Sequence, residues 1–476
     1  MPDSYYPRRV DTSIKVVDPH ESRQVIEFGE KLRAQGNSVK EEYGIDRRIE
    51  RAARFIAGGD NMWPKDAFEK KKHKAKISLN FIHSIIERKA GMLTDTRPKL
   101  DIRSKGGFTA AASTIKKIIA DGIWYERSIQ QVLTDGIVRV QRAGFAPCYI
   151  PWDDDLDYGR GDVGFDFLLP DQVTFDSSVR RLANVQDGEF VIIETVRPLA
   201  AFWALYGERG ELVRPDDSVS GYSKPSAEGS RIKSPMMLKA RNMLYSIYRK
   251  PSSQESQREP SAIPQAREYQ MYFRDRSLVP GKKFNPDGTP NYLFPRKRVC
   301  IWAGDVLLFD GPSRYWDGLY PVEFLDWGIE TDHPFGESEV DLYRGLQEAV
   351  NLLISGLVDN SRLINDPPKI IGPGVPPDVE EDIEQNFDRP GRTWRLDSIT
   401  DVTLHPPGQM SQVVVATLGL LKDGIEFLSG LTGETAGKRT PGISSGAMLD
   451  ALLMASQIVI RLQGRAVEDF IARAGR

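Results

Sequence analysis

Two long apolar runs at helical spacing, held apart by a short insert, constrain this chain more than any other feature. The first opens at Gly336-Glu337-Ser338 and carries Val340, Leu342, Leu346, Val350, Leu353, Leu357 and Val358 to about Leu363. That spacing predicts one amphipathic helix, roughly 40 Å long at ~1.5 Å per residue. Asn365-Asp366-Pro367-Pro368 breaks it, because proline removes a helical donor and the residue before it avoids helical torsions. An insert rich in Pro, Gly and acid follows to about Pro407, and a second long helix is expected over 409–430. A Gly- and polar-rich loop, Thr432–Gly446, then leads to a third helix over about 447–473. Two long helices flanking a small insert are an unusual plan for an enzyme core.

The first third of the chain is also helical in pattern. Val25, Ile26, Phe28, Leu32, Ile45, Ile49, Phe55 and Ile56 recur near helical spacing, so residues 21 to about 57 read as one helical run stopped at Gly58-Gly59. A basic stretch follows, Lys70-Lys71-Lys72-His73-Lys74-Ala75-Lys76. It suits phosphate contact, but short charge runs are usually solvated turns, and the turn is the reading taken. From Ser78 the apolar positions Phe81, Ile82, Ile85, Ile86 and Ala90 predict a helix ending before Thr96-Arg97-Pro98. A short strand at 99–103, helices over about 109–123 and 126–141, and a strand at 145–150 come next.

Residues 150–330 are β-rich, with expected strands at 164–169, 189–196, 268–273, 299–302, 306–309 and 322–325. Polar insertions separate them, and 251–260 has no apolar periodicity. The expected fold class is therefore α+β.

Charge limits the partners. Lys and Arg number 64 against 67 Asp and Glu, a net charge of −3, whereas a basic bias would mark a chain that grips nucleic acid all over its surface. Cys148 and Cys300 are the only cysteines and His numbers five. Two reduced, buried thiols are expected rather than a disulfide framework or a zinc site. The N-terminal residues lack the apolar core of a signal peptide, and no stretch approaches the ~18 apolar residues of a spanning helix. A soluble, intracellular protein with no membrane partner is the expectation.

Three candidate chemistries fail on spacing. Asp153-Asp154-Asp155-Leu156-Asp157 suggests a calcium loop, but counting from Asp153 the sixth position is Tyr158 and the twelfth Gly164, where Gly and Glu are required. A solvated acidic turn fits better. Gly433-Glu434-Thr435-Ala436-Gly437-Lys438-Arg439-Thr440 imitates a phosphate-binding loop, yet Arg439 stands where the magnesium-binding hydroxyl belongs and the loop follows a helix instead of a strand. Acid pairs such as Asp171 with Asp176, or Glu380-Glu381-Asp382, have no nuclease context. No enzyme, cofactor or metal is expected. The loop at 432–446 offers glycine-relaxed backbone with Lys438, Arg439 and Thr440 at its tip, able to touch a phosphate backbone without reading bases. Charge alone does not separate that role from an ordinary surface connection.

The order of these parts resembles the portal, or head-to-tail connector, proteins of tailed double-stranded DNA bacteriophages over most of the chain. Three stretches carry the resemblance. Ser78-Leu79-Asn80-Phe81-Ile82, with Gly91-Met92-Leu93 and Arg97-Pro98-Lys99-Leu100, is similar to an N-terminal helix and the strand after it. Gly336-Glu337-Ser338-Glu339-Val340, with Gln347-Glu348-Ala349-Val350-Asn351, Asp359-Asn360 and Asp366-Pro367-Pro368, is similar to a stem helix entering a clip. Gly424–Gly433 and Ser445-Gly446-Ala447-Met448-Leu449 are similar to the end of the second stem helix, a tunnel loop and the helix behind it.

The resemblance implies an N-terminal arm at 1–20, a mixed α/β wing at 21–330, stem helices at 336–364 and 409–431, a clip at 365–408, a tunnel loop at 432–446 and a C-terminal wing or crown-base helix at 447–476. It implies a homododecameric ring at one capsid vertex of the virion, assembled in the host cytoplasm, through which double-stranded DNA is packaged and ejected. Terminase, tail adaptor proteins and a major capsid protein or scaffold are the implied partners. Lys438, Arg439 and Thr440 would face DNA, and Pro367, Pro368, Glu380, Glu381 and Trp394 would serve docking at the clip. A crown beyond the last helix is expected to be small or missing. The alternatives are a nucleic-acid-processing enzyme, nuclease or terminase-like, and a capsid or tail-adaptor protein that does not line the DNA path.

Overall fold

The computed structural model describes residues 19–63, 74–95, 97–98, 102, 110–154, 156–216, 264–327, 333–387, 389–396, 398, 401–404, 412–431 and 458–476. The fold is α+β. It divides into two compact units, one from Met1–Ala53, Ile86–Leu342 and Ile458–Arg476, the other from Arg54–Ile85 and Tyr343–Gln457. Arg54–Ile85, which sequence order placed inside 21–330, therefore belongs with the long helices. Contacts remote in sequence decide that membership.

In the first unit, helices α1 (Pro19–Glu42) and α2 (Ile45–Ala57) replace the single run expected from periodicity. The apolar spacing continues across the break, but Gly44 takes a φ of 61° that only glycine adopts without strain. A five-stranded antiparallel sheet runs in the order β5 (Val173–Phe175), β6 (Phe190–Pro198), β7 (Gln265–Phe273), β8 (Arg298–Ala303) and β9 (Val306–Pro312). Val25, Ile26, Phe28 and Leu32 of α1 pack on Met271, Phe273 and Trp302 of that sheet, and the Trp302 indole donates to Glu30 Oε1 at 3.1 Å. A three-stranded antiparallel sheet places β1 (Phe145–Tyr149) between β4 (Asp166–Phe167) and β10 (Val322–Asp326). Trp152–Asp153 and Asp162–Val163 form a two-residue ladder, β2 with β3.

Helices α3 (Phe81–Thr94), α4 (Ala110–Glu126) and α5 (Ile129–Ala143) fall close to their expected positions. Within the β-rich stretch, α6 (Leu199–Tyr206) and β5 were not anticipated. Leu199-Ala200-Ala201-Phe202-Trp203-Ala204-Leu205 is apolar nearly throughout, and too short for periodicity to separate helix from strand. The strand expected at 99–103 and the insertion at 251–260 lie outside the described residues. Two larger clusters fill the unit: one around Phe145, Phe175, Phe324 and Phe335, the other joining Trp124, Leu133, Ile137, Phe167, Val467 and Phe470. Val467, Phe470 and Ile471 come from α10 (Ile458–Ala474), one face at helical spacing.

The second unit is built on α7 (Glu339–Asn365), α8 (Pro377–Asn386) and α9 (Gln412–Ser429), with a two-stranded antiparallel ladder of β11 (Lys369–Ile371) and β12 (Val402–Leu404) between the long helices. The first turn of α7 lies in the first unit and the remainder in the second.

Candidate functional site

The Gly336–Asp341 motif is a polar root for the long helix α7. Gly336 passes so close to Gly144 that a Cβ on either would meet the carbonyl oxygen of the other inside contact distance. Gly144 also has a φ of 91° as the C-cap of α5. Arg48 donates to Gly336 O at 2.6 Å, and Ser338 Oγ donates to Arg142 O at 2.6 Å. Glu339, only 5% exposed, accepts from Lys89 Nζ at 3.0 Å and from Gln463 Nε2 at 2.6 Å. Asp341 pairs with Arg51 at 2.5 Å and with Arg48 at 3.6 Å. Gly336, Ser338, Glu339 and Asp341 are thus each used by main chain or side chain, and the buried Lys89–Glu339 pair, with Gln463, fixes α3 and α10 to the start of α7. Removing one partner of such a pair leaves a buried charge uncompensated, which costs about 3–5 kcal/mol.

Further along α7, in the second unit, four polar side chains at i, i+4, i+8 and i+12 hold an extended strap. Phe81 N–H donates to Gln347 Oε1 at 2.9 Å, Leu79 N–H to Asn351 Oδ1 at 3.1 Å, Ile77 N–H to Ser355 Oγ at 3.0 Å and Ala75 N–H to Asp359 Oδ1 at 2.7 Å. The periods match because four helical residues advance ~6 Å and two extended residues ~6.6 Å. Gln347 Nε2 also donates to Leu79 O and, at 3.0 Å, to Asn351 Oδ1. Gln347, Asn351 and Ser355 are buried. The strap gains from a helix the donors and acceptors that a neighbouring strand would otherwise supply. It is pinned again by Asn80, whose Oδ1 caps α3 through His83 N–H at 3.0 Å while its Nδ2 donates to Phe55 O at 2.8 Å. Ser78-Leu79-Asn80 is therefore extended, and the helix begins at Phe81. Lys74 and Lys76, the end of the basic stretch, lie on this strap and are exposed.

The insert between α7 and α9 is organised around Asp382 of α8. Arg392 binds it with two nitrogens at 2.7 and 3.2 Å, the Trp394 indole donates at 2.6 Å, and Asn386 Nδ2 donates at 2.8 Å. The donors from Arg392 and Trp394 hold its carboxyl below the usual range. Trp394 stacks on Phe387 with centroids 5.8 Å apart, and Lys369 Nζ lies 4.4 Å from the centroid of the Phe387 ring. Among the proposed docking residues, Glu380, Glu381 and Pro368 are exposed, Pro367 is half-buried, and Trp394 is half-buried in the stack. The structure brings Glu380 and Glu381 together on α8 but gives Trp394 a place in the insert's own packing. Lys438, Arg439 and Thr440 lie outside the described residues.

The long helices leave apolar side chains in water. Leu352 on α7 is 63% exposed; on α9, Val413 is 68%, Leu420 71% and Phe427 83% exposed. Gly424 of α9 faces Leu346 of α7, where an added Cβ would stand 3.7 Å from Leu346 Cδ1, an ordinary van der Waals contact. Both cysteines are buried and free; Cys300 Sγ lies 3.3 Å from Asp310 Oδ1. Asp154 of the acidic turn pairs with Arg314 at 2.9 Å. Among the described residues no group of three or more His, Cys, Asp or Glu is placed to hold a metal ion, and no helix is long and apolar enough to cross a membrane.

The strap ladder and the Lys89–Glu339–Gln463 node were not anticipated from the sequence. The polar stripe Gln347, Asn351, Ser355, Asp359 was a readable signal, since it interrupts an apolar helix at a constant spacing of four. Lys89 and Gln463 carried no local signal. No protein-family model matches the chain, and no curated protein matches it.

Proposed function

We propose that this chain is the portal subunit of a tailed double-stranded DNA phage, a non-catalytic component of a homododecameric ring at one capsid vertex of the virion. In this reading α7 and α9 are the stem, the insert 365–408 is the clip that meets terminase and then the tail adaptors, the first unit is the wing against capsid protein or scaffold, and Lys438, Arg439 and Thr440 meet the passing DNA. One observation carries it: two long helices flank a small α/β insert and expose apolar side chains that a solitary chain would leave in water. Patches of that kind mark surfaces that other chains cover, and a head-to-tail repeat of one such surface closes into a ring when the rotation per subunit is right.

A nearly neutral chain also suits a conduit. Each cation held on a phosphate releases counterions and adds to binding affinity, so a wall that passes DNA without holding it should carry few. The test is the assembly state of the purified full-length chain by native mass spectrometry and negative-stain imaging. Closed rings with a central hole are expected. A monodisperse monomer at micromolar concentration would remove the proposal.

A further inference from the structure

The first unit carries a cleft of about 920 Å³ that the channel reading does not use. One wall is α4, through Ile119, Ile123 and Trp124; Trp152, Tyr315 and Trp316 also line it. Polar groups in the cleft are engaged with one another. Gln186 Nε2 donates to Tyr320 O and Val322 O at 3.1 Å, its Oε1 accepts from Tyr320 N–H at 2.7 Å, and the Trp152 indole donates to Asp154 at 2.9 Å. Arg473 and Glu323 pair at 3.4 Å, and Arg314 is held by Asp154.

What the cleft and its margin turn to solvent is mostly apolar, with Lys116 and Lys117 at the α4 edge and the Asp317 carboxylate, which accepts from Leu319 N–H at 3.0 Å, beside Trp316. Ile115, Ile118 and Ile119 lie at i, i+3 and i+4 on α4, each more than half exposed, and Trp316 is 80% exposed. Lys116 and Lys117 sit beside that stripe, are exposed, and have no ion-pair partner among the described residues. A three-residue stripe at helical spacing is what an amphipathic helix packs against, exposed tryptophans are the usual anchors of such contacts, and two lysines beside the stripe favour carboxylates on the incoming helix.

We propose that this cleft docks an acidic amphipathic helix of a partner protein, with Ile119 and Trp316 as its apolar floor and Lys116 and Lys117 as its charged margin. The inference needs only the folded chain and stands apart from the channel reading.

The test uses the full-length chain and three fluorescein-labelled synthetic peptides of about five helical turns. All share one leucine composition: the first has leucines in a helical stripe flanked by glutamates, the second the same stripe flanked by lysines, the third the first peptide's residues scrambled. Anisotropy titration should show the acidic peptide binding once per chain, the basic one at least about tenfold more weakly, and the scrambled one not at all. I119D and W316A should each weaken the acidic peptide by about tenfold or more, while L212D, at an exposed leucine away from the cleft, should not. K116E/K117E should reverse the preference between the acidic and basic peptides, a result that loss of folding cannot imitate. Equal binding of the first two peptides, or indifference to I119D and W316A, would overturn the proposal. So would self-association that I119D abolishes, since a second copy would then be the occupant.

Discussion

Asn351 shows how a single side chain serves two segments. It is buried, accepts from the Leu79 N–H and from Gln347, and stands in the middle of a four-rung ladder. N351L keeps the side chain's branching but leaves the Leu79 N–H and a buried Gln347 N–H without their acceptor, so it should cost about 2–3 kcal/mol. L352N, one position along at an exposed site, should stay within about 0.5 kcal/mol. Urea midpoints of the two variants check the contrast, and equal values would mean that the strap is not held by its hydrogen bonds. Lys297 makes a different kind of statement. Burial pushes its ammonium down to about 7 and that of Lys40 down to about 8, from an ordinary value of 10.5. Above about pH 7 the folded chain has released a proton from Lys297 that the unfolded chain still holds, so stability rises with pH until the unfolded lysine also titrates. K297M removes that dependence, and its urea midpoint should climb less than the parent's between about pH 7 and 9. Parallel slopes would mean that the ammonium stays charged over the Tyr320 ring, whose centroid is 3.0 Å away. Asp326 acts in the opposite sense: burial raises it from 3.8 to about 6, so its contribution falls as pH rises through that interval.

At the scale of elements, α9 has little internal support. Ile425 and Ser429 are its buried positions, whereas Leu420 and Phe427 stand in water. Helices hold mainly through burial of an apolar face rather than through propensity, and in the proposed ring the exposed face of α9 would be covered by the next subunit. If the proposed ring is built through α9, L420D and F427D should leave the far-UV circular dichroism of the subunit unchanged and give monomers in native mass spectrometry. Rings that survive both substitutions would mean that α9 is not at the subunit interface. Helix α7 differs because its polar stripe is already occupied by the strap and its first turn by the root motif. Within the insert, α8 depends on Asp382, which gathers Arg392, Trp394 and Asn386 around one carboxylate. Trp394 is thus built into the packing of the insert while staying half-exposed, and Pro368, Glu380 and Glu381 are exposed.

For the whole molecule, the channel reading makes one demand on the loop at 432–446. K438E/R439E should leave ring assembly intact and impair packaging or retention of DNA in a complementation assay. Normal packaging by the double variant would remove the DNA-contact role of Lys438 and Arg439 while leaving the ring itself unaffected. The modest net charge of −3 fits that division of labour, with basic residues placed locally instead of spread over the chain.

Local pattern alone determined most of the elements. The breaks at Pro98 and at Pro367-Pro368, the helices α3, α4, α5, α7 and α9, and the strands β1, β6, β7, β8, β9 and β10 follow from periodicity and from the torsions that proline forbids. The α+β class follows from that list, because an apolar period of 3.6 or of 2 is a property of neighbouring residues. Tertiary structure decided what local pattern does not contain. Gly44 divides α1 from α2 within an unbroken apolar period; Arg54–Ile85 joins the unit of the long helices; Ser78–Asn80 is extended although it borders a helix. Lys89, Glu339 and Gln463 meet from three distant segments, so no window of sequence includes them together. The physical reason is common to all of these. A buried donor or charge must find its partner somewhere in the folded chain, and which residue answers is set by how the elements pack, not by how they are ordered.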